Sequence, residues 1–172
     1  MTGTQFFDSY DINGIPGGAT HAALYGDGDF KVTTAEARRF RYRRWITVLG
    51  TPSCGLADYE PGNEVYGRRG ALRAWAAQRH GQYAGLPIVY VDRALAAQAV
   101  AQLDGLRVLF WIPTLDGNEH WTPELLSANM ASGDNGTVPP VTIPPSLIWA
   151  NQWRNSESPP FDESTLFGNW WA

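Results

Sequence analysis

The chain has 172 residues, 44% of them apolar and 17% charged, which is enough for one globular domain with a hydrophobic core. A formal net charge of −4, with arginines scattered around 38–44 and 68–79, argues against nucleic acid as a partner, because such binding needs a concentrated basic surface. No apolar run approaches the roughly 18 residues of a membrane span, the opening MTGTQFFDSY lacks a signal-peptide pattern, and the single cysteine, Cys54, excludes an internal disulfide framework.

The first part of the chain alternates predicted strands with loops and one helix. Strands are predicted at 4–11, 21–25, 45–49 and 54–60. Thr33 and Glu36 form a capping-box pattern, which predicts a helix from there to about Tyr42. Only a Thr-Pro-Ser link separates the third strand from the fourth, so no helix is expected between them.

The second part continues the alternation and then becomes irregular. Helices are predicted at 69–80, where Gly81 supplies a stop, and at 93–103, where Asp92 supplies a cap. Strands are predicted at 87–91, 106–112 and 146–153, and the segments 161–162 and 166–168 close the chain. Residues 113–145 are rich in Pro, Gly, Asn and Ser, which predicts a long irregular loop with a short helix near 123–130.

Strands and helices joined by short links predict an α/β fold with a parallel sheet. A full (β/α) barrel normally needs about 200 residues or more. We therefore expect a single domain over 1–172 that forms a compressed or incomplete TIM-type (β/α) barrel, with the irregular loop at about 113–145.

Two carboxyl groups end the fourth predicted strand, in the segment GLADYEPGN. Side chains alternate between the faces of a strand, so Asp58 and Glu60 point the same way and Tyr59 points the other way. Mutual repulsion and partial burial raise the pKa of at least one of the two acids. Glycoside hydrolysis uses such a carboxyl pair. The alternative interpretation is a solvated acidic turn closed by Pro61 and Gly62.

Other acids also follow strand ends, where the active face of a barrel lies. They are Asp8, Asp11, Asp92 and Asp116. The three histidines, His21, His80 and His120, lack the spacing of metal ligands, so neither a metal nor another cofactor is expected. A nucleotide-binding enzyme is excluded because the chain has no P-loop and no G-x-G-x-x-G motif.

Several short motifs stand out along the chain, namely FFDSYDI, LADYEPGN, LPIVYVDRA, LFWIPTLDG, LIWANQW and FDESTLFGN. They recur in the order found in family-25 glycoside hydrolases, the lysozyme (muramidase) family, which the chain resembles over most of its length. The segment ALYGDGDFKVTTAEARRF is more similar to the related glycoside-hydrolase-like domain of secreted actinobacterial proteins.

The resemblance implies roles for four acids. Glu60 matches the general acid, Asp58 its partner on the same strand, Asp8 the Asp of the first strand, and Asp162 the Asp of the closing motif. The closing motif departs from the family, because Asp162 is followed by Glu163 and Ser164 where the family has Asp-x-Asn.

Residues of the same motifs are expected to contact substrate. They are Asp11, Tyr90, Asp92, Trp111, Trp149 and Gln152. For Trp111 and Trp149, stacking on sugar rings and burial in the core are both open interpretations.

The resemblance implies a cell-wall (peptidoglycan) glycan hydrolase of phage or bacterial origin that acts at the bacterial cell wall as a lysin or virion component. The alternative is a catalytically silent module on the same fold that serves as a structural, wall-binding or receptor-binding virion component. Other virion or lysin subunits are then expected partners. The apolar tail at 169–172 is expected either to dock on its own domain or to insert into such a subunit.

Overall fold

A computed structural model of the protein describes residues 3–168, so the expectation for the tail at 169–172 lies outside the described residues. Eight strands form a closed barrel in which each strand pairs with its neighbour in the chain and β8 pairs back with β1. The strands are β1 (Thr4–Asp8), β2 (His21–Tyr25), β3 (Tyr42–Thr47), β4 (Leu56–Tyr59), β5 (Ile88–Val91), β6 (Leu109–Pro113), β7 (Ile148–Glu157) and β8 (Pro160–Leu166).

The helical layer outside the barrel is thin. Its α-helices are α1 (Thr34–Ala37), α2 (Glu64–Gly67), α3 (Ala71–Gln82), α4 (Ala96–Gln102) and α5 (Pro123–Ala131). Short 3-10 turns lie at Ile12–Gly14, Arg93–Leu95, Asp134–Gly136 and Pro145–Leu147. Among the helices of residues 3–168, none is long and apolar enough to cross a membrane.

The strand order explains how the barrel closes in so short a chain. Each strand from β1 to β7 pairs in parallel with the next, whereas β8 runs antiparallel to both β7 and β1. A hairpin therefore joins β7 to β8, and it replaces the crossover of a dozen or more residues that a parallel partner needs. The predicted α/β barrel is confirmed, but its ring of strands is complete, and its antiparallel β8 differs from the eight parallel strands of a TIM barrel.

No helix lies between β3 and β4 in this described stretch, as predicted. The start of this link is held by Asp27, a buried carboxylate in the loop after β2. It accepts hydrogen bonds from the Thr47 hydroxyl and from the amides of Val48 (2.8 Å) and Leu49 (3.3 Å). A side chain thus satisfies backbone donors that lie outside any strand or helix.

Apolar side chains fill three regions. Inside the barrel, the Phe6 ring contacts Trp111 and Trp149 at centroid distances of 5.1 and 5.2 Å. A second cluster lies between the sheet and α3, α4 and α5, and a third lies beneath α1 and the loop after β1. The barrel interior is therefore packed up to the level of Trp111, and open space begins above it.

Several predicted boundaries were wrong. The capping box is present, since Thr33 accepts from the Glu36 amide and Glu36 accepts from the Thr33 amide, but α1 ends at Ala37 rather than near Tyr42. Tyr42 begins β3, because the segment pairs with β2 in parallel register over its first five residues. The predicted stop at Gly81 was also wrong, because α3 continues to Gln82.

The irregular segment 113–145 contains more structure than the composition indicated. The predicted short helix is confirmed as α5, which begins at Pro123 and is capped by the Thr122 side chain. The first strand is shorter than predicted, ending at Asp8, and Asp11 instead caps the following 3-10 turn.

Candidate active site

A cavity with about 300 Å³ of empty space lies at the carboxyl-terminal ends of the parallel strands. It is lined by four carboxyl groups together with aromatic, apolar and amide side chains. The lining residues are Asp8, Tyr25, Ile46, Leu56, Asp58, Glu60, Tyr90, Trp111, Gln152 and Asp162. All four acids predicted to be catalytic therefore come together, although they are distant in sequence.

The acids on β4 face the cavity because of strand alternation. Asp58 lies within β4 and Glu60 follows its end, and both line the cavity. Tyr59 points outward, where its ring contacts Tyr66 at 5.1 Å and its hydroxyl accepts a hydrogen bond from Gln102 (2.6 Å). The outward Tyr59 is fully buried, so it fixes the direction of the two acids.

The other two acids come from β1 and β8. Asp8 ends β1 and is the register partner of Asp162 near the start of β8. Because β8 is antiparallel, its first residues lie at the same edge as the last residue of β1. In a ring of eight strands β4 is four positions from β8, so Asp58 and Glu60 face Asp8 and Asp162 across the cavity.

Two carboxyl oxygens in the cavity have no hydrogen-bond partner. Asp58 Oδ2 accepts from the Tyr25 hydroxyl at 3.4 Å, but Asp58 Oδ1 is buried and unpartnered. Asp8 Oδ1 is also buried and unpartnered. Buried polar atoms are nearly always paired, and the exceptions require an explanation. Here both atoms line an open cavity, where a bound ligand can supply the missing partners.

Burial raises the pKa of every acid in this group. For Asp58, burial and then the charge of Glu60 raise the pKa from 3.8 to about 7. For Asp8, burial and the charges of Asp162, Asp58 and Glu60 raise the pKa well above its ordinary value. For Glu60, burial and then the charge of Asp92 raise the pKa. The group therefore retains protons in a pH range where isolated carboxyls have lost them.

Asp162, like Asp58, accepts a hydrogen bond that acts against the effect of burial. Burial raises its pKa to about 6, while a hydrogen bond from the Gln152 side chain acts against this and favours the charged form. Acid and base roles are separated when environments push the pKa values of neighbouring groups apart. The pKa of Asp162 is raised to about 6 and that of Asp58 to about 7, so Asp162 ionises at a lower pH than Asp58 across the cavity.

Aromatic side chains form the bottom of the cavity. Trp111 is 1% exposed, and its indole N–H donates to the Ser164 hydroxyl at 3.1 Å. Tyr90 contacts the Trp111 ring edge-to-face at 4.8 Å. Gln152 is 3% exposed and lines the wall beside Asp162.

Three residues predicted to contact substrate do not line the cavity. Trp149 is buried below Trp111 in the barrel core, which favours the core interpretation for this side chain. Asp11 caps a 3-10 turn by accepting from the Asn13 amide, and Asp92 caps another by accepting from the Ala94 amide. Asp92 nevertheless acts on the site through its charge, which raises the pKa of Glu60.

Sequence analysis missed Tyr25, Ile46 and Leu56 as cavity residues. Tyr25 is the last residue of β2, so the strand-end rule that selected the acids also applies to it. Ile46 and Leu56 are apolar strand residues, and nothing in their local sequence distinguishes them from ordinary core. Within residues 3–168, no group of three or more His, Cys, Asp or Glu side chains is arranged to hold a metal ion.

Comparisons with known proteins support the fold. No protein-family model matches the chain, and no curated protein matches it in sequence. Among solved structures, the fold is similar to that of a muramidase from Acremonium alcalophilum, with a TM-score of 0.54. The match covers 96% of this chain and 94% of that chain at 12% sequence identity. A likeness at this identity shows a shared fold.

Proposed function

We propose that this protein is a peptidoglycan glycosidase of the lysozyme type that works by carboxyl acid–base chemistry. The observation that supports this most directly is the convergence of four carboxyl groups with raised pKa values in one cavity at the end of the barrel. Glycosidases place carboxyl groups on both sides of the scissile bond, one protonated and one ionised. The fold likeness to a muramidase agrees with this proposal.

In this proposal Glu60 is the general acid. Its position just after the end of β4 leaves it half-buried, whereas Asp58 behind it is 7% exposed. Glu60 can therefore reach a glycosidic oxygen that enters the cavity, and its raised pKa keeps a proton available for the leaving group.

The opposite wall stabilises positive charge on the sugar. Asp162 receives a hydrogen bond from Gln152 that favours its ionised form, and it lies across the ring of strands from Glu60. Asp58 and Asp8 supply further oxygen atoms around the reacting centre, including the two unpartnered ones. Water or a substrate amide would complete the displacement.

The test is release of reducing sugars from purified peptidoglycan by the wild type, Glu60→Gln and Glu64→Gln. Glu64 is exposed in the first turn of α2 and serves as the matched control. Loss of a general acid typically costs about 10²- to 10⁴-fold in rate. We expect such a loss for Glu60→Gln and none for Glu64→Gln. Equal activity of the two variants would remove Glu60 from the mechanism.

We also propose that the protein acts at the bacterial cell wall, either as a phage or bacterial lysin or as a virion component. The same preparations test it through cosedimentation with intact cell walls. A wild type that binds walls but releases no sugar between pH 4 and pH 8 would support the alternative of a silent wall-binding module.

A further inference from the structure

Two exposed aromatic rings lie beside the acid cavity. Tyr10 is 60% exposed and Phe30 is 50% exposed, which makes them the two most exposed aromatic side chains among the described residues. Tyr10 follows the end of β1, and Phe30 lies in the loop after β2. Both loops leave the same edge of the barrel at which the cavity opens.

The two rings contact each other and are connected to the acids. The Tyr10 and Phe30 centroids are 5.6 Å apart with their planes at 50°, and Phe30 contacts Tyr25 edge-to-face at 5.8 Å. The Tyr25 hydroxyl in turn donates to Asp58 Oδ2 at 3.4 Å. An unbroken series of three rings therefore leads from the protein surface to a carboxyl group of the cavity.

The size of the cavity explains why a ligand needs this surface. The roughly 300 Å³ of empty space includes open solvent at the mouth, so the enclosed part is smaller than typical small-molecule pockets of about 300–1,000 Å³ and holds only the reacting part of a polymer. The rest of a glycan strand must lie on the rim. Tyr10 and Phe30 project from that rim, and their exposed ring faces offer a surface on which a flat apolar face can stack.

Charge decides which kind of ligand fits. Four carboxyl groups line the cavity, and the exposed Asp11, Asp29 and Lys31 neighbour the two rings in sequence. Acids outnumber the one cation, so the surface repels anions and offers hydrogen-bond acceptors. A neutral pyranose ring suits it, because the ring has an apolar C–H face that stacks on aromatic carbons and a rim of hydroxyl donors.

We propose that Tyr10 and Phe30 form a stacking subsite for a neutral sugar ring of the glycan strand, next to the ring held in the acid cavity. This inference rests on the proposed function, since it concerns the same substrate. The two rings bind and position the strand, and they do not touch the reacting atoms.

The test compares Tyr10→Ala and Phe30→Ala with the control variant Tyr83→Ala. Tyr83 is 40% exposed, and its ring lies under the Arg79 guanidinium. It precedes β5 in the chain and therefore lies at the opposite end of the barrel from the cavity. We expect either rim variant to raise KM for peptidoglycan about tenfold, which corresponds to about 1.4 kcal/mol. A contact made equally in the ground state and the transition state leaves kcat unchanged.

Cosedimentation with insoluble peptidoglycan, measured together with kcat and KM, distinguishes the stacking subsite from the proposed glycosidase function. If the wild type cleaves peptidoglycan and both rim variants behave like Tyr83→Ala, the subsite is refuted and the proposed function stands. If the wild type does not cleave but binds peptidoglycan, and the rim variants bind about tenfold more weakly, the subsite stands and the glycosidase is refuted. Absence of both cleavage and binding overturns both proposals.

Discussion

Replacing Asp58 by Asn should stabilise the protein at neutral pH, and the gain should depend on pH. Asp58 is 7% exposed, and burial followed by the charge of Glu60 raises its pKa from 3.8 to about 7. Between these values the folded chain holds a proton that the unfolded chain has lost, so the free energy of unfolding falls as pH rises. The free energy of unfolding should fall by about 1.4 kcal/mol per pH unit over about three units, which is about 4 kcal/mol in total.

The substitution removes this pH dependence while keeping the shape of the side chain. Asn cannot ionise, and its amide oxygen can still accept the hydrogen bond from the Tyr25 hydroxyl. Loss of the Asp58 charge also lowers the pKa of Asp8, because Asp58 is one of the charges that raise it. We therefore expect similar stability of variant and wild type near pH 3.5, and an advantage of up to about 4 kcal/mol for the variant above pH 7.

Urea denaturation at half-unit intervals from pH 3.5 to pH 8, followed by the fluorescence of the eight tryptophans, measures this difference. Asp104→Asn is the control, because Asp104 is exposed in the turn that precedes β6 and so lies at the opposite end of the strands from the cavity. A difference between Asp58→Asn and wild type that is constant over the whole pH range would refute the argument from burial. The same variant should lose activity, which would show that Asp58 is retained for function although it destabilises the fold.

Three further outcomes follow from the contacts of the site and its supporting loop. Asp92→Asn should lower the pKa of Glu60 by removing a charge that raises it, so the alkaline limb of the kcat/KM profile should move to lower pH; an unmoved limb would contradict the role of Glu60 as the acid. Tyr25→Phe should raise the pKa of Asp58 further, since the tyrosine hydroxyl lowers it, and a pH series of unfolding free energies would show the decline extended to higher pH. Asp27→Ala should cost about 2–4 kcal/mol of stability by leaving the Thr47 hydroxyl and two backbone amides without their acceptor, and a loss below about 0.5 kcal/mol in urea denaturation would be inconsistent with that hydrogen-bonded loop.

Local patterns in the sequence were sufficient to predict several elements. The alternation rule placed Asp58 and Glu60 on one face of β4 with Tyr59 on the other, and the Thr33 and Glu36 spacing predicted the capping box. The short link after β3 also predicted that no helix lies between β3 and β4. These features depend on neighbours within a few residues, and their geometry is set by backbone periodicity.

The closing of the barrel was decided by tertiary structure. The antiparallel β8 returns beside β1, and this brings Asp162 next to Asp8 although 153 residues lie between them. Nothing in the local sequence around Asp162 indicates its partner or the direction of its strand. The same closure places β4 across from β8, and only then do two pairs of acids face each other.

The chemistry of the site depends on the same closure. The sequence predicted that at least one acid of the Asp58 and Glu60 pair has a raised pKa, but burial, which only the packed barrel supplies, is the largest cause for all four acids. Likewise, Tyr10 and Phe30 are unremarkable loop residues in the sequence and become a paired surface beside the cavity only in the folded chain. Sequence spacing determines which way a side chain points within its own strand, whereas desolvation and contacts between distant strands arise only when the chain has folded.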